Sequence, residues 1–214
     1  MLSHIKEVLL KAILAGIMIG IGGALYLSVD NRYIGSLLFA IGLFCIFSFG
    51  FNLYTGKIGF LITEKNKLKF CTDLGVIWIG NIIGTGFVGL LLRLTRVSEA
   101  LSKTAEKMCE VKLNDDLLSI FILAVFCGML MYIAAYNFKY GENSGQKYIA
   151  TFICVVVFIL CSFEHCVANM FYFWISYSFS LKTLLYLVVM TLGNSVGSFI
   201  IPVLLKLCGN KTQE

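Results

Sequence analysis

CSFEHCVANMFYF, residues 161–173, follows the apolar run KYIATFICVVVFIL, residues 147–160. The run is long enough to carry a chain deep into a bilayer. Glu164, His165 and Asn169 then interrupt it before the chain turns apolar again. Ionisable residues at membrane depth are expensive and mark function by default. Backbone freed at a helix break must be satisfied by protein or water, so a break here implies a lined cavity.

The remainder of the chain supports a membrane setting. Its 214 residues are 59% hydrophobic and 14% charged, with a mean hydropathy of +0.89. A soluble domain of this length cannot bury that much apolar surface, whereas a polytopic membrane protein faces lipid with it. The net charge of +5 sits largely in short clusters between apolar runs, such as EKNKLK at 64–69. That pattern belongs to lipid headgroups and excludes nucleic acid as a partner. Lys6 and Lys11 precede the first apolar stretch as in a signal peptide, but Ala12–Val29 is long enough to span. Eight cysteines show no C-x-x-C pattern, and most lie in apolar runs as small hydrophobes. Cys161, His165 and Cys166 fall short of a four-ligand metal site, and no cofactor is expected.

Six spans can be read: Ala12–Val29, Tyr33–Thr63, Cys71–Leu94, Leu117–Phe138, Tyr148–Ser176 and Leu184–Leu207. The second and fifth are too long for one passage and are interrupted by polar or small residues. The longest polar stretch, 96–116, separates two halves. IGNIIGTGFVGLLLRL (79–94) resembles LGNSVGSFIIPVLLKL (192–207), an offset of 113 residues from Gly80 to Gly193. The same offset lays FNLYTGKIGF (51–60) on EHCVANMFYF (164–173), so the two interrupted spans correspond. Three spans per half is odd, so the second half enters the membrane from the opposite side, as an inverted 3+3 repeat with both breaks near the midplane. The expectation is one all-α transmembrane domain over 1–214, with repeats at about 8–95 and 115–208. With both termini cytoplasmic, the inner segments hold nine lysines, Lys211 among them, against seven outer basic residues.

A half-helix starting at such a break presents free N–H groups and the positive end of its dipole. The segments after Thr55 and His165 are two such starts, and that chemistry favours an anion. Lys57 and Lys112 add positive potential at the approaches, although the Lys57 stem also suits snorkelling. His165 is expected to meet the permeating species; the alternative is a bond to a carbonyl of the broken helix. Glu164 would repel an anion and is read as structural: pointing away, capping N–H groups or meeting a neighbouring subunit. Asn169, one turn past His165, is expected either to share the pore face or to tie the break to its partner loop. Asn81 and Asn194 are read as interhelical clamps whose flanking glycines allow close approach.

These motifs resemble the formate/nitrite transporter family of pentameric anion channels. SFEHCVANMF (162–171) is similar to its signature at the fifth helix, and LYTG (53–56) to its loop at the second. LAGIMIGIGG (14–23) and the two Gly-Asn-x-x-Gly motifs extend the likeness over the whole chain. The resemblance implies a multi-pass cell-membrane homopentamer with an aquaporin-like pore in each protomer. It implies small monovalent anions of the formate, nitrite and hydrosulfide class; the cost of taking a bare anion through apolar constrictions adds the expectation that the anion is protonated along the path. It puts the substrate path at His165, Thr55, Lys112 and Asn169. Constrictions fall on Phe39, Leu43 and Tyr54 on the cytoplasmic side and Phe158 on the other. Glu164, Gly56, Asn81 and Asn194 are structural at the breaks. A pore-side asparagine usual in the fourth helix falls on Gly128, which would widen the pore or remove a donor near His165. The usual glycine before Phe-Glu-His is Ser162. The family's pH gate on a long amino-terminal helix is not expected.

Two other functions remain to be weighed. An aquaporin-like pore for small neutral solutes would use similar breaks, but His165 and Lys112 argue against it. A membrane enzyme using Glu164 and His165 as acid and base would need no matched break in the half that lacks such a pair, so an enzyme is not expected.

Overall fold

The computed structural model describes residues 2–209, which form helices and turns with no strand among them. The α-helices are α1 (Leu2–Leu27), α2 (Arg32–Ser48), α3 (Tyr54–Lys57), α4 (Lys67–Arg93), α5 (Ser98–Leu113), α6 (Leu117–Tyr140), α7 (Ser144–Leu160), α8 (Cys166–Ser176) and α9 (Leu181–Leu207). A 3₁₀ segment, Ile58–Ile62, continues α3. Helices α1, α4, α6 and α9 are long and apolar enough to cross a membrane. The first begins ten residues before the expected Ala12, carrying Lys6, Glu7 and Lys11 on its opening turns. Lys211, counted above among the inner cations, lies outside the described residues.

Helix α1 packs along α4, and α6 along α9. The Gly-Asn-x-x-Gly motifs explain both pairings. A Cβ on Gly80 or Gly84 would collide with Ala12 and Ile13 of α1. One on Gly193 or Gly197 would collide with Ala124 and Val125 of α6. Missing side chains thus let each backbone pair approach closely, as membrane helices do without a hydrophobic driving force. Gly128 belongs to this set: a side chain there would strike the Asn194 carbonyl, as one on Gly16 would strike that of Asn81. The expectation that Gly128 widens the pore is therefore corrected. It is a crossing point of α6 and α9.

The expected interruptions are present, and one device ends both helices. Gly50 and Ser162 adopt left-handed φ values of 66° and 55°. The next amides, of Phe51 and Phe163, reach back to the Ile46 and Phe158 carbonyls at 2.8 and 2.9 Å. These are Schellman closures, normally built on glycine because a Cβ is strained there. The chain then crosses to a neighbour: Asn52 N–H donates to the Lys11 carbonyl on α1, and Glu164 N–H to that of Leu123 on α6. Each matched pair here is 112 residues apart, not the 113 that separates Gly80 from Gly193. The second half carries one extra residue between the break and its motif. His165 therefore corresponds to Leu53, and both are helix N-caps.

The polar stretch 96–116 holds a helix rather than an open loop. Leu101, Ala105 and Cys109 recur every fourth residue and are buried against α8, while Lys103, Glu106, Lys107 and Glu110 face outward. A 3.6-residue period was present in those letters beneath the charge.

Candidate functional site

Each broken segment is held by one asparagine. The Asn81 carbonyl oxygen accepts the Tyr54 amide at 2.9 Å, and its NH₂ donates to the Ala12 and Asn52 carbonyls. Asn194 does the same for the other half: its oxygen accepts the Cys166 amide at 2.8 Å, and its NH₂ donates to Ala124 and Glu164 carbonyls. Both side chains are fully buried. They clamp helices as expected, and they also satisfy the backbone that each break frees. The N–H groups at the two starts are thus partly taken by protein. The starts are also unequal, because α8 runs for 11 residues and α3 for only four. The expectation of two matched dipoles aimed at an anion is reduced to one substantial half-helix, α8.

His165 caps that half-helix. Its Nδ1 accepts the Ala168 amide at 3.1 Å. A nitrogen that accepts carries no proton, so the imidazole is neutral and its hydrogen sits on Nε2. Nε2–H then donates to Thr55 Oγ1, 2.9 Å away across 110 residues of sequence. The threonine hydroxyl keeps its own proton for a further acceptor. Thr55 and His165 are both buried, at 1% and 2% exposure.

Glu164 takes none of the three expected positions. It faces inward beside His165, and both its oxygens accept from the Lys112 ammonium, at 2.6 and 2.7 Å. Asn169 Nδ2 donates to the same carboxylate at 2.8 Å and to the His165 carbonyl. A carboxylate only accepts, which fixes the amide with its oxygen turned away. That oxygen is buried and has no hydrogen-bond partner among the described residues. Lys112, expected as a free collector of anions, is instead half of a nearly buried ion pair.

A cavity of about 70 Å³ opens here, lined by Arg32, Lys112, Phe158, His165 and Asn169. Phe158 stacks on His165 with centroids 5.5 Å apart, and Phe39 meets Phe158 edge-on at 5.8 Å. Phe39, Leu43 and Phe158 are all buried. Tyr54 stands apart: its hydroxyl bonds Ser195 at 3.0 Å, and its ring lines a groove with Trp78 and Thr191. On the far side of α3, Leu53, Gly56 and Lys57 line a larger cavity of about 370 Å³. Two contributors went unread in the sequence. Arg32, between the first two expected spans, donates to the Ile159 carbonyl and to Ser162 Oγ, both at 2.7 Å. It closes the carboxyl end of α7 and steadies the strained Ser162. Arg32 carries no local signal, since its partners arrive from the other half of the chain, and Leu53 caps α3 without a side-chain hydrogen bond.

A family model described as formate/nitrite transporter matches residues 2–208. The chain is 24% identical over 182 residues to "Formate channel FocB" of Escherichia coli, covering 77% of this chain and 64% of that protein. It is 28% identical over 150 residues to "Uncharacterized transporter YrhG" of Bacillus subtilis, covering 66% and 56%. The chain therefore spans somewhat under two thirds of these relatives' length. Among solved structures, "Pentameric formate channel with formate bound" superposes with a TM-score of 0.82 at 22% identity, over 96% of this chain and 97% of that one.

Proposed function

The chain belongs to the formate/nitrite transporter family, and on that premise we propose that it is a membrane channel or carrier for small monovalent anions of weak acids. In this reading it forms an aquaporin-like inverted 3+3 repeat, with its breaks at the bilayer midplane and both termini in the cytoplasm. Five protomers assemble, each with its own path. The observation that supports this best is the Thr55–His165 hydrogen bond, where the broken segments of the two halves meet between two cavities.

The local chemistry favours an anion that crosses as its neutral acid. A bare anion sheds water against Phe39, Leu43 and Phe158 with little in return, while a neutral acid loses far less. The unpartnered Asn169 oxygen suits a proton donor: formate and nitrite gain an O–H only on protonation, while hydrosulfide carries an S–H in either form. Neutral His165 acts as a hydrogen-bond donor with Thr55. To lend a proton it must first take one on Nδ1, which opens the α8 cap. Formate, nitrite and hydrosulfide all fit this description. No residue here is assigned bond-making chemistry, and the site is not read as that of an enzyme.

Flux into proteoliposomes of formate, nitrite, hydrosulfide and glycerol tests the reading and ranks the cargo. Saturable uptake of at least one weak-acid anion, lost on His165→Phe, is expected. Glycerol flux without anion flux would replace this reading with the neutral-solute pore.

A further inference from the structure

The face of the molecule that carries the start of α1 holds two adjoining cavities, of about 370 and 290 Å³. Gly50, Lys57 and Phe70 line both, so Lys57 stands where they meet. Its surroundings are charged, but nearly every other charge is already engaged. Lys11 is bonded to Glu7 at 2.7 Å, and His4 to Asp73 at 3.0 Å. Glu64 accepts the amides of Lys65 and Asn66 in its own turn. Lys139 lies over the rings of Phe60 and Tyr140, 4.7 and 4.8 Å from their centroids. Lys57 has neither a hydrogen bond nor a carboxylate partner among the described residues, although it is half buried.

The opposite mouth is different. Its ammonium, Lys112, is held by both oxygens of Glu164, and its guanidinium, Arg32, by Ile159 and Ser162. Arg32 keeps its charge, but its Nη2 is committed to protein; among the described residues Lys57 is the cavity-wall cation left with no hydrogen bond, carboxylate or ring to hold it. We propose that Lys57 is the docking residue for small monovalent oxyanions at this mouth, so that the two ends receive substrate by different means. The proposal rests on the transport reading above. Lys57 follows Thr55 by two residues, a rise of about 3 Å along α3. Gly56 between them lines the same cavity without a side chain to obstruct the step. An ammonium in a walled cavity raises local anion concentration without adding to the barrier ahead.

The test measures nitrite flux in membrane vesicles of both orientations. Lys57→Gln is expected to raise the half-saturating concentration about fivefold to tenfold from the α1-start face, and not from the other. The maximal rate stays within about twofold, and Lys57→Arg restores the wild-type value. Equal half-saturation in wild type and Lys57→Gln on both faces overturns the proposal. A second readout needs no transport. In protein with ¹³C-methylated lysines, the signal missing from Lys57→Gln should move on titration with nitrite, while those of Lys103 and Lys107 stay still. A signal that does not move also overturns the docking site. A signal that moves in vesicles that carry no anion sinks the transport reading and leaves the docking site standing.

Discussion

Lys112, Glu164 and Asn169 place a full ion pair within one turn of a neutral histidine, and that sets what single substitutions do. Removing one partner of a nearly buried pair leaves the other charge uncompensated, at a cost of about 3–5 kcal/mol. Lys112→Ala is therefore expected to lower both the thermal midpoint in detergent and flux at every substrate concentration. Lys112→Met combined with Glu164→Gln should recover most of the midpoint. If Lys112→Ala instead lowers flux only at low concentration with no loss of stability, Lys112 is a free collector and the pair does not persist in the membrane. Ser162 gives a second case. Its φ of 55° strains any side chain, by about 1–2 kcal/mol, and the Arg32 contact offsets part of that. Ser162→Val loses the Arg32 hydrogen bond and adds a β-branch at positive φ, so it should destabilise by about 1–2 kcal/mol, whereas Ser162→Gly should be neutral or stabilising, as thermal unfolding would show.

At the scale of elements, backbone proximity decides the architecture. Gly197 lies against the Val125 carbonyl and Gly84 against that of Ile13, so the α6–α9 and α1–α4 seams share one design. Gly197→Val must push these backbones apart and is expected to cost more than about 2 kcal/mol, with loss of folded protein on size exclusion. The same change at Gly75, where a Cβ meets nothing within 4 Å, should be tolerated. This scale also shows why the sequence was readable where it was. Gly-Asn-x-x-Gly repeats in the letters because both copies perform one packing task, and the interruptions near Gly50 and Ser162 are visible as polar and small residues in apolar runs. The shift from 113 to 112 residues at the breaks was not visible, because a lone extra residue between two conserved-looking motifs leaves no mark without the hydrogen bonds. The inward turn of Glu164 was missed for a related reason. Its partner, Lys112, comes from α5, a helix hidden in the stretch that composition presents as loop.

At the scale of the whole molecule, many large apolar side chains of α1, α4 and α9 remain exposed, Ile21, Ile79, Phe87, Leu185 and Leu192 among them. Lipid or further copies must cover them, and the proposed assembly makes mass measurement in detergent yield a multiple of five protomers. A stable, active monomer would refute the pentamer and leave the path within the protomer untouched. The path itself makes the more discriminating prediction. If the species crossing Phe39 and Phe158 is the neutral acid, the rate follows the protonated fraction. Above the acid's own pKa that fraction falls about tenfold per pH unit. Protonation in the vestibule, where positive charge concentrates the anion, makes the fall shallower but does not abolish it. Flux of formate or nitrite, whose acids are mostly ionised by pH 5, should therefore drop steadily as external pH rises from about 5 to about 8. His165→Phe should abolish it throughout, since the Thr55 contact and the α8 cap go together, while oligomer mass stays the same. A flux equal at both ends of that range and indifferent to loss of His165 and Lys112 would mean that the anion crosses charged. The unpartnered oxygen of Asn169 would then face a species with no proton to offer it, and the path would have to lie elsewhere in the protomer.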